Sequence, residues 1–215
     1  MTIADADREE FLARAGARLR RDPPTIDQPR SDPKGDHSHD FANEPEIAPG
    51  SAKPAAVLVP VVLRPTEVSL LFTQRATGLR SHAGQISFPG GRIDEGDGSA
   101  VEAALREAEE EIGLDRRFVE ILGFLDGYRT GTGFNVIPVV ALVQPDFALK
   151  LDPSEVADAF EVPLRFLMDE ANHHKHARPW RGRDRHYYAM PYGERYIWGA
   201  TAGMIKNLHQ RLWLP

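Results

Sequence analysis

Carboxylates are concentrated in one short stretch of the chain, Arg106-Glu107-Ala108-Glu109-Glu110-Glu111-Ile112-Gly113, with four glutamates within five residues. On a helix, like charges three and four residues apart repel each other by about 0.2–0.5 kcal/mol per pair. Grouped carboxylates are ligands of hard cations, and magnesium typically takes a few of them together with phosphate oxygens of a substrate. The stretch therefore indicates either a divalent metal site or a solvated charged face with no chemical role.

The glutamates lie on a predicted helix over residues 99–112. Ser99 and Glu102 have the spacing of a capping box, and Gly113 suits the left-handed position after a helix end. Asp97 is a competing N-cap. An apolar stripe at helical spacing must face the core, and it comprises Val101, Ala104, Leu105, Ala108 and Ile112.

The four glutamates fall into two groups around this helix. Glu107 and Glu111 are one turn apart and project together off the apolar stripe, with Glu110 beside them. Glu109 lies elsewhere on the helix, next to Glu102. The spacing therefore predicts that Glu107, Glu111 and Glu110 direct oxygens at one small volume.

A glycine pair precedes the helix, in SFPGGRIDEGDGSAVEAAL. Gly90 and Gly91 allow the close backbone approach that phosphate sites often need. Together with residues 106–114, this segment resembles the Nudix box, in which a glycine and a glutamate precede R-E-hydrophobic-x-E-E-x-G-hydrophobic. The second half matches throughout. In the first half Asp97 replaces the glutamate, and eight residues instead of seven separate it from Arg106.

The resemblance implies a fold and a site. The fold class is α/β, a Nudix-type α/β/α sandwich with a mixed β-sheet, and the cofactor is Mg²⁺ or Mn²⁺. The implied metal ligands are Glu107 and Glu111, assisted by Glu110. The position of the general base varies among Nudix enzymes, so Glu110 and Glu155 are both catalytic candidates. For Ser154 and Glu155 a helix-capping role is an equally good interpretation.

The segment LLFTQRATGLRSHAGQISFPGG, residues 70–91, resembles the signature of the coenzyme A pyrophosphatase branch of this superfamily. Phe72 and Arg75 depart from its pattern, and the longer box is typical of the same branch. The resemblance implies hydrolysis of the diphosphate of coenzyme A to 4'-phosphopantetheine and adenosine 3',5'-bisphosphate. Matching positions are Thr73, Ala76, Arg80, Gly84 and Phe88 to Gly91; the candidate substrate-binding residues are Arg80, Arg75, Gly90 and Gly91.

Other functions and roles remain open at this point. One is a Nudix hydrolase of another nucleoside diphosphate, such as ADP-ribose or a dinucleotide, and another is a noncatalytic Nudix-fold ligand sensor. The aromatic residues from Tyr187 to Trp198 could receive adenine or the pantetheine arm, although core packing is the simpler role for them.

The predicted secondary structure is a set of strands around the acidic helix, which favours a mixed sheet between helices. The predicted elements are strands at 55–64, 67–75, 118–129 and 134–143, a short helix at 161–170, a hairpin at 184–199 and a terminal helix at 200–214.

Composition divides the chain into two parts. Residues 1–54 are predicted to hold a helix at 5–21 and then a proline-rich, partly flexible segment, because residues 22–54 include seven of the 17 prolines. Residues 55–215 are the predicted Nudix domain. In the first part, His37 and His39 could bind a transition metal, although two histidines in a polar loop are usually only solvated.

The totals restrict the classes of function. The chain has 215 residues, no cysteine and a net charge of −6, which excludes zinc–thiolate sites and disfavours nucleic-acid binding. The basic stretch at 176–186 is too short to change that expectation. No segment has the apolar length of a membrane span, so we expect a cytoplasmic protein. The resemblance implies a small-molecule partner of the coenzyme A type. Members of the superfamily are often dimers, which makes a homodimer a further expectation.

Overall fold

The computed structural model describes residues 3–25, 34–35, 52–79, 82–180 and 183–214. The helices in these ranges are α1 (Ile3–Arg18), α2 (Ala100–Ile112), α3 (Leu164–Leu167) and α4 (Ala200–Trp213). None of them is both long enough and apolar enough to cross a membrane. The strands are β1 (Lys34–Gly35), β2 (Lys53–Leu63), β3 (Val68–Arg75), β4 (Ile86–Ser87), β5 (Gly90–Arg92), β6 (Val119–Phe124), β7 (Tyr128–Arg129), β8 (Phe134–Val143), β9 (Val156–Pro163), β10 (His174–Trp180), β11 (Arg183–Tyr192) and β12 (Arg195–Trp198).

The main sheet is built around two long apolar strands, β2 and β8, which pair in parallel. Its strand order is β1-β7-β8-β2-β3-β4, while β5 pairs with β2, β6 with β8 and β9 with β3. Most of the other pairings are antiparallel, so the sheet is mixed. Strands β10, β11 and β12 form a separate antiparallel sheet.

Both faces of the main sheet are covered. Alternate residues of β2, such as Val59 and Leu58, point to opposite faces, as the period of a strand requires. Val59 joins a core that includes residues of α1 and α4, and Leu58 joins a core that includes α2. This arrangement confirms the α/β/α sandwich with a mixed β-sheet.

Two elements differ from the sequence prediction. Residues 156–163 form β9 instead of a loop followed by a helix, and the helix predicted at 161–170 is only the single turn α3. Strand β9 pairs with β3 over its whole length. Its sequence lacks a clear alternation of apolar and polar residues, so local periodicity did not indicate the strand. Strand β10 was also missed, since its polar sequence has little apolar patterning.

Helix α1 packs on the same core as the predicted domain. Phe11 is fully buried, and Ala15 and Leu19 are also buried, in a cluster that includes Leu208 and Leu212 of α4. The division of the chain at residue 54 stays a prediction. The histidines His37 and His39 lie outside the described residues.

The burial of Phe11 generates a test of how far the folded unit extends. Phe11→Ala should lower the free energy of unfolding by about 3–5 kcal/mol, because it empties a filled site in the main core. Denaturant unfolding measures the change. Glu9→Ala, at an exposed position of the same helix, should change stability by no more than about 0.5 kcal/mol. Equal, small effects of both substitutions would contradict the inclusion of α1 in the folded unit.

Candidate active site

Helix α2 is held at both ends by its own sequence. The Oγ of Ser99 accepts a hydrogen bond from the backbone N–H of Glu102 at 3.1 Å. Gly113 adopts a φ of 66°, and its N–H donates to the carbonyls of the last turn. Glycine adopts this left-handed conformation at little cost. The predicted start and end of the acidic helix are therefore confirmed, with Ser99 and not Asp97 as the N-cap.

The buried face of α2 is rotated toward the glutamates relative to the predicted stripe. The buried residues are Ala103, Ala104, Ala108, Glu111 and Ile112. Val101 and Leu105 are only half-buried. The prediction that Glu111 lies off the buried face is wrong. Small alanines let the helix approach β2 closely, and this approach encloses Glu111.

The carboxylate of Glu111 is buried against the glycine pair, with a side chain only 3% exposed. Its Oε2 accepts a hydrogen bond from the N–H of Gly90 at 3.1 Å, and its Oε1 lies 3.6 Å from Nη1 of Arg75. Burial raises the pKa of Glu111 to about 7, and the nearby charges of Glu107 and Glu155 act in the same direction. The hydrogen bond from Gly90 and the charge of Arg75 therefore stabilise the ionised carboxylate less than burial destabilises it.

Glu107 is the second carboxylate at the glycine pair. A Cβ on Gly91 would lie 2.5 Å from the carboxyl group of Glu107, so any larger residue there would displace this carboxyl group. Gly90, with a φ of 152°, has its own close contacts with Ala56 and Val57 of β2. Burial raises the pKa of Glu107. The structure thus brings Glu107, Glu111, Gly90 and Gly91 together, as predicted.

Arg106 organises the acids next to this pair. Its guanidinium donates to both oxygens of Asp97 at 2.9 Å, and these bonds lower the pKa of Asp97 to about 2. Its Nη1 donates at 3.0 Å to Glu107 and also to Glu110. Glu110 is exposed and bound to this arginine, and its charge contributes to the raised pKa of Glu107. The prediction that Glu110 converges with Glu107 and Glu111 on one volume stays a prediction.

Glu109 is separate from the cluster, as the sequence predicts. Arg116 contacts Glu109 at 3.6 Å and Glu102 at 3.2 Å, on another side of the helix. All three side chains are about half exposed. This group is a surface ion pair network and has no part in the site.

Glu155 acts on Glu107 and Glu111 from another part of the chain. It directly precedes β9, and its carbonyl oxygen accepts a hydrogen bond from Ala76 at 2.8 Å. Its negative charge contributes to the raised pKa of both Glu107 and Glu111. No helix begins at Ser154, since β9 follows, so the helix-capping interpretation of Ser154 and Glu155 is wrong.

The donor set fits a hard divalent cation. Within the described ranges, no three His, Asp or Glu side chains stand together as a complete metal site. Magnesium does not need one, because it retains waters and takes substrate oxygens alongside one or two carboxylates. The fit rests on Glu111, a buried carboxylate with two acidic neighbours and one arginine at 3.6 Å.

The segment that resembles the coenzyme A pyrophosphatase signature, residues 70–91, forms parts of β3 and β4 and the loop between them, beside the site. Thr73 bonds Ser87 across β3 and β4, with 3.1 Å between the hydroxyl oxygens, and the ring of Phe88 stacks on Phe72 at 4.9 Å. Two members of this segment, Arg75 and Gly90, contact Glu111. Arg80 lies outside the described residues, so its role stays a prediction.

A cavity of about 410 Å³ adjoins the glycine pair. Its lining includes Gly90, Gly91 and Arg75. It also includes Tyr187 and Trp198 of the small sheet, whose ring centroids are 5.6 Å apart at an angle of 69°. Tyr188 and Tyr192 of the same hairpin pack against the main core, in line with the simpler role for the aromatic residues, while Tyr187 and Trp198 line the cavity.

Arg92 also lines this cavity and was missed by the sequence analysis. Its position directly after the glycine pair was the available signal, because the residue after a phosphate-approaching turn is close to the same ligand.

Comparison with known proteins identifies the family. The NUDIX domain model matches residues 52–183, more than half of the chain. The chain is 42% identical over 154 residues to a protein of Escherichia coli K12 named uncharacterized Nudix hydrolase NudL, with 72% of this chain and 80% of that one covered. A relative of the same name from Cronobacter sakazakii is 44% identical with the same coverage. This chain belongs to the Nudix family.

A solved structure supports the fold. The NUDIX domain of Shewanella oneidensis NrtR, complexed with ADP ribose, aligns with a TM-score of 0.50 and 19% identity. The alignment covers 80% of this chain and 96% of that one. The sandwich described above is therefore a Nudix fold.

The contact between Gly91 and Glu107 generates a prediction about activity. Gly91→Ala should lower kcat/KM about 10- to 100-fold, because the new methyl group displaces the Glu107 carboxylate, and displacements near 1 Å are costly in an active site. Steady-state kinetics with a diphosphate substrate measures the loss. Gly96→Ala is the matched control, since nothing lies within 4 Å of a Cβ at Gly96. Equal kinetics of the two variants would contradict the positioning of Glu107 by this contact.

The raised pKa of Glu111 generates a prediction about stability without metal. The folded state disfavours the ionised carboxylate, so this cost is fully present above pH 7 and fades as the pH falls toward the ordinary value near 4.5. In a chelator at pH 8, Glu111→Gln should be more stable than the wild type by about 1–3 kcal/mol. The difference should shrink between pH 7 and pH 4.5.

Chemical denaturation at several pH values measures this difference, with the exposed Glu109→Gln as the control. Added magnesium should stabilise the wild type more than Glu111→Gln. A variant that is less stable than the wild type in chelator at pH 8 would contradict the description of Glu111 as an undercompensated charge.

Proposed function

We propose that this chain is a metal-dependent hydrolase that cleaves the diphosphate of coenzyme A or its derivatives into 4'-phosphopantetheine and adenosine 3',5'-bisphosphate. The observation that carries the proposal is the position of two glutamates, the half-buried Glu107 and the buried Glu111, against a glycine pair that lines a cavity. This arrangement suits a diphosphate, because a cation held there and the backbone of the glycine pair both face the same small volume.

Glu107 and Glu111 are the proposed metal ligands for Mg²⁺ or Mn²⁺. A bound divalent cation neutralises charge on the diphosphate and makes water more acidic. Glu111 presents one oxygen to the N–H of Gly90, which fixes the orientation of the carboxylate. Glu110 is the third proposed ligand from the sequence, and its bond to Arg106 favours an assisting role through that arginine instead.

Glu155 is the better supported of the two proposed bases. Its charge contributes to the raised pKa of both Glu107 and Glu111, whereas the charge of Glu110 acts on Glu107 and its carboxylate is bound to Arg106. In the proposed reaction, the oxygen of water bonds to phosphorus and its proton passes to Glu155. The bond between that phosphorus and the bridging oxygen breaks, and the bridging oxygen leaves with the other phosphate. The residues act by position and charge.

Support for coenzyme A as the substrate comes from the signature at residues 70–91. Its Arg75 is close to the site, at 3.6 Å from Glu111, and lines the cavity. An arginine fork matches phosphate oxygens, of which coenzyme A offers a diphosphate and a further phosphate. Gly90 and Gly91 are the proposed backbone contacts of the substrate.

The principal rival is a Nudix hydrolase of ADP-ribose or a dinucleotide. One observation favours it, since the NrtR NUDIX domain that shares this fold is complexed with ADP ribose. A noncatalytic ligand sensor is the other rival. It is less well supported, because all the glutamates of the second half of the box are present.

A panel of substrates with product identification tests the proposal. With magnesium, the wild type should have its highest kcat/KM for coenzyme A, compared with ADP-ribose and diadenosine polyphosphates, and should release 4'-phosphopantetheine. Glu111→Gln should lower kcat at least about a hundredfold, because metal-ion stabilisation of developing charge contributes several kcal/mol. Glu109→Gln, on the same helix but away from the site, should retain wild-type turnover.

Each result of this panel has a definite consequence. Preferred hydrolysis of ADP-ribose would reject coenzyme A as the substrate and support the rival function. Tight nucleotide binding without turnover would favour the ligand sensor. Wild-type kcat in Glu111→Gln would reject the metal role of that residue.

A further inference from the structure

The cavity beside the glycine pair is lined by two arginines in a chain whose net charge is −6. These are Arg75 and Arg92, and none of its described lining residues is an aspartate or a glutamate. Concentrated positive charge in a cleft raises the local concentration of anions. The cavity is therefore suited to a part of the substrate that carries negative charge in addition to the diphosphate.

Arg92 is the cation of this cavity that a ligand can use most directly. Its backbone is held in β5, opposite Ala55 of β2, and its carbonyl oxygen accepts from Nη2 of Arg106 at 3.2 Å. Its side chain is exposed, and no residue that the structure describes forms an ion pair with it. Arg75, in contrast, is paired with Glu111. An arginine held firmly at its backbone and open at its guanidinium is well suited to bind a phosphate.

The small sheet supplies aromatic rings to the cavity. Tyr187 and Trp198 are half-buried, meet edge to face and line the cavity, and aromatic surface of this kind suits a flat, apolar part of a ligand. The small sheet that carries them is attached to the main sheet by Arg195. This arginine donates to Gln74 and Asp158 and lies 4.3 Å above the ring of Phe160. The aromatic pair is thus held in a defined position relative to the glycine pair.

The size of the cavity restricts how much of the substrate it encloses. Ligand cavities are commonly about 300–1,000 Å³, and this one, at about 410 Å³, is near the lower limit. It suits one of the two groups that the diphosphate joins. The pantetheine arm is an uncharged, acyclic chain and uses neither a cation nor a flat ring. Phosphorylated adenosine has both an extra anion and a planar base.

We propose that the cavity binds the 3'-phosphorylated adenosine half of the substrate, with the base against Tyr187 and Trp198 and the 3'-phosphate bound by Arg92. This inference rests on the proposed function and assigns residues to the recognition of its substrate. The diphosphate then lies at the glycine pair, and the pantetheine arm extends away from the cavity.

Binding of the two product halves tests the assignment without turnover. Calorimetric titration in chelator should give a dissociation constant for adenosine 3',5'-bisphosphate at least about tenfold lower than that for 4'-phosphopantetheine, because only the former uses both Arg92 and the aromatic residues of the cavity. Adenosine 5'-monophosphate, which lacks the 3'-phosphate, should bind more weakly than the bisphosphate.

Two substitutions separate the two contacts. Arg92→Ala should weaken binding of adenosine 3',5'-bisphosphate about 10- to 100-fold, the range for a hydrogen bond between charged groups, and should leave adenosine 5'-monophosphate nearly unaffected. Trp198→Ala should weaken both nucleotides about 5- to 100-fold through lost stacking. The controls are Arg165→Ala, an exposed arginine of α3, and Trp213→Ala in α4, neither of which lines the cavity.

The outcomes distinguish this inference from the proposed function. Tighter binding of 4'-phosphopantetheine, weakened by Trp198→Ala, would overturn the assignment of the cavity to adenosine. Equal losses of both nucleotides in Arg92→Ala would overturn the role at the 3'-phosphate. Hydrolysis of coenzyme A that neither substitution alters would overturn the inference and leave the proposed function standing. Binding of adenosine 3',5'-bisphosphate that depends on Arg92 and Trp198, in a protein that does not hydrolyse coenzyme A, would support the assignment of the cavity and overturn the proposed function.

Discussion

The burial of the Glu111 carboxylate constrains most of the surrounding structure. A buried charge is costly unless it is paired or bound by hydrogen bonds, and here it has one backbone N–H and an arginine at 3.6 Å. The N–H is available because β5 begins at Gly90, whose backbone lies against Ala56 and Val57. Helix α2 must also lie close to the strands, which its buried alanines allow. A site for a cation results from this incomplete compensation.

Chemically identical glutamates acquire different properties from their neighbours. Glu111 is buried and Glu107 half-buried, and burial raises the pKa of both. Glu110 is exposed and held by Arg106, while Glu109 joins Arg116 on another side of the helix. Arg106 keeps Asp97 ionised and also donates hydrogen bonds to Glu107 and Glu110. Environment therefore divides one acidic run into a site and its surroundings.

The cavity joins two sheets that serve different purposes. The main sheet supplies the glycine pair and Arg92, and the small sheet supplies the aromatic residues Tyr187 and Trp198. Because Arg195 attaches the small sheet to β3 and β9, the fold fixes the distance between the glycine pair and the two aromatic residues. A strand that supports the base candidate Glu155 is part of the same attachment, since β9 pairs with β3.

The sequence by itself determined the features that depend on local spacing. The ends of α2 follow from Ser99 and Gly113, the central strands from continuous apolar runs, and the family from the residues of the box. Tertiary structure alone decided which face of α2 is buried, that residues 156–163 form a strand, and that Arg92 and Trp198 share a cavity. Burial and strand pairing depend on partners distant in the chain, and local periodicity carries no information about them.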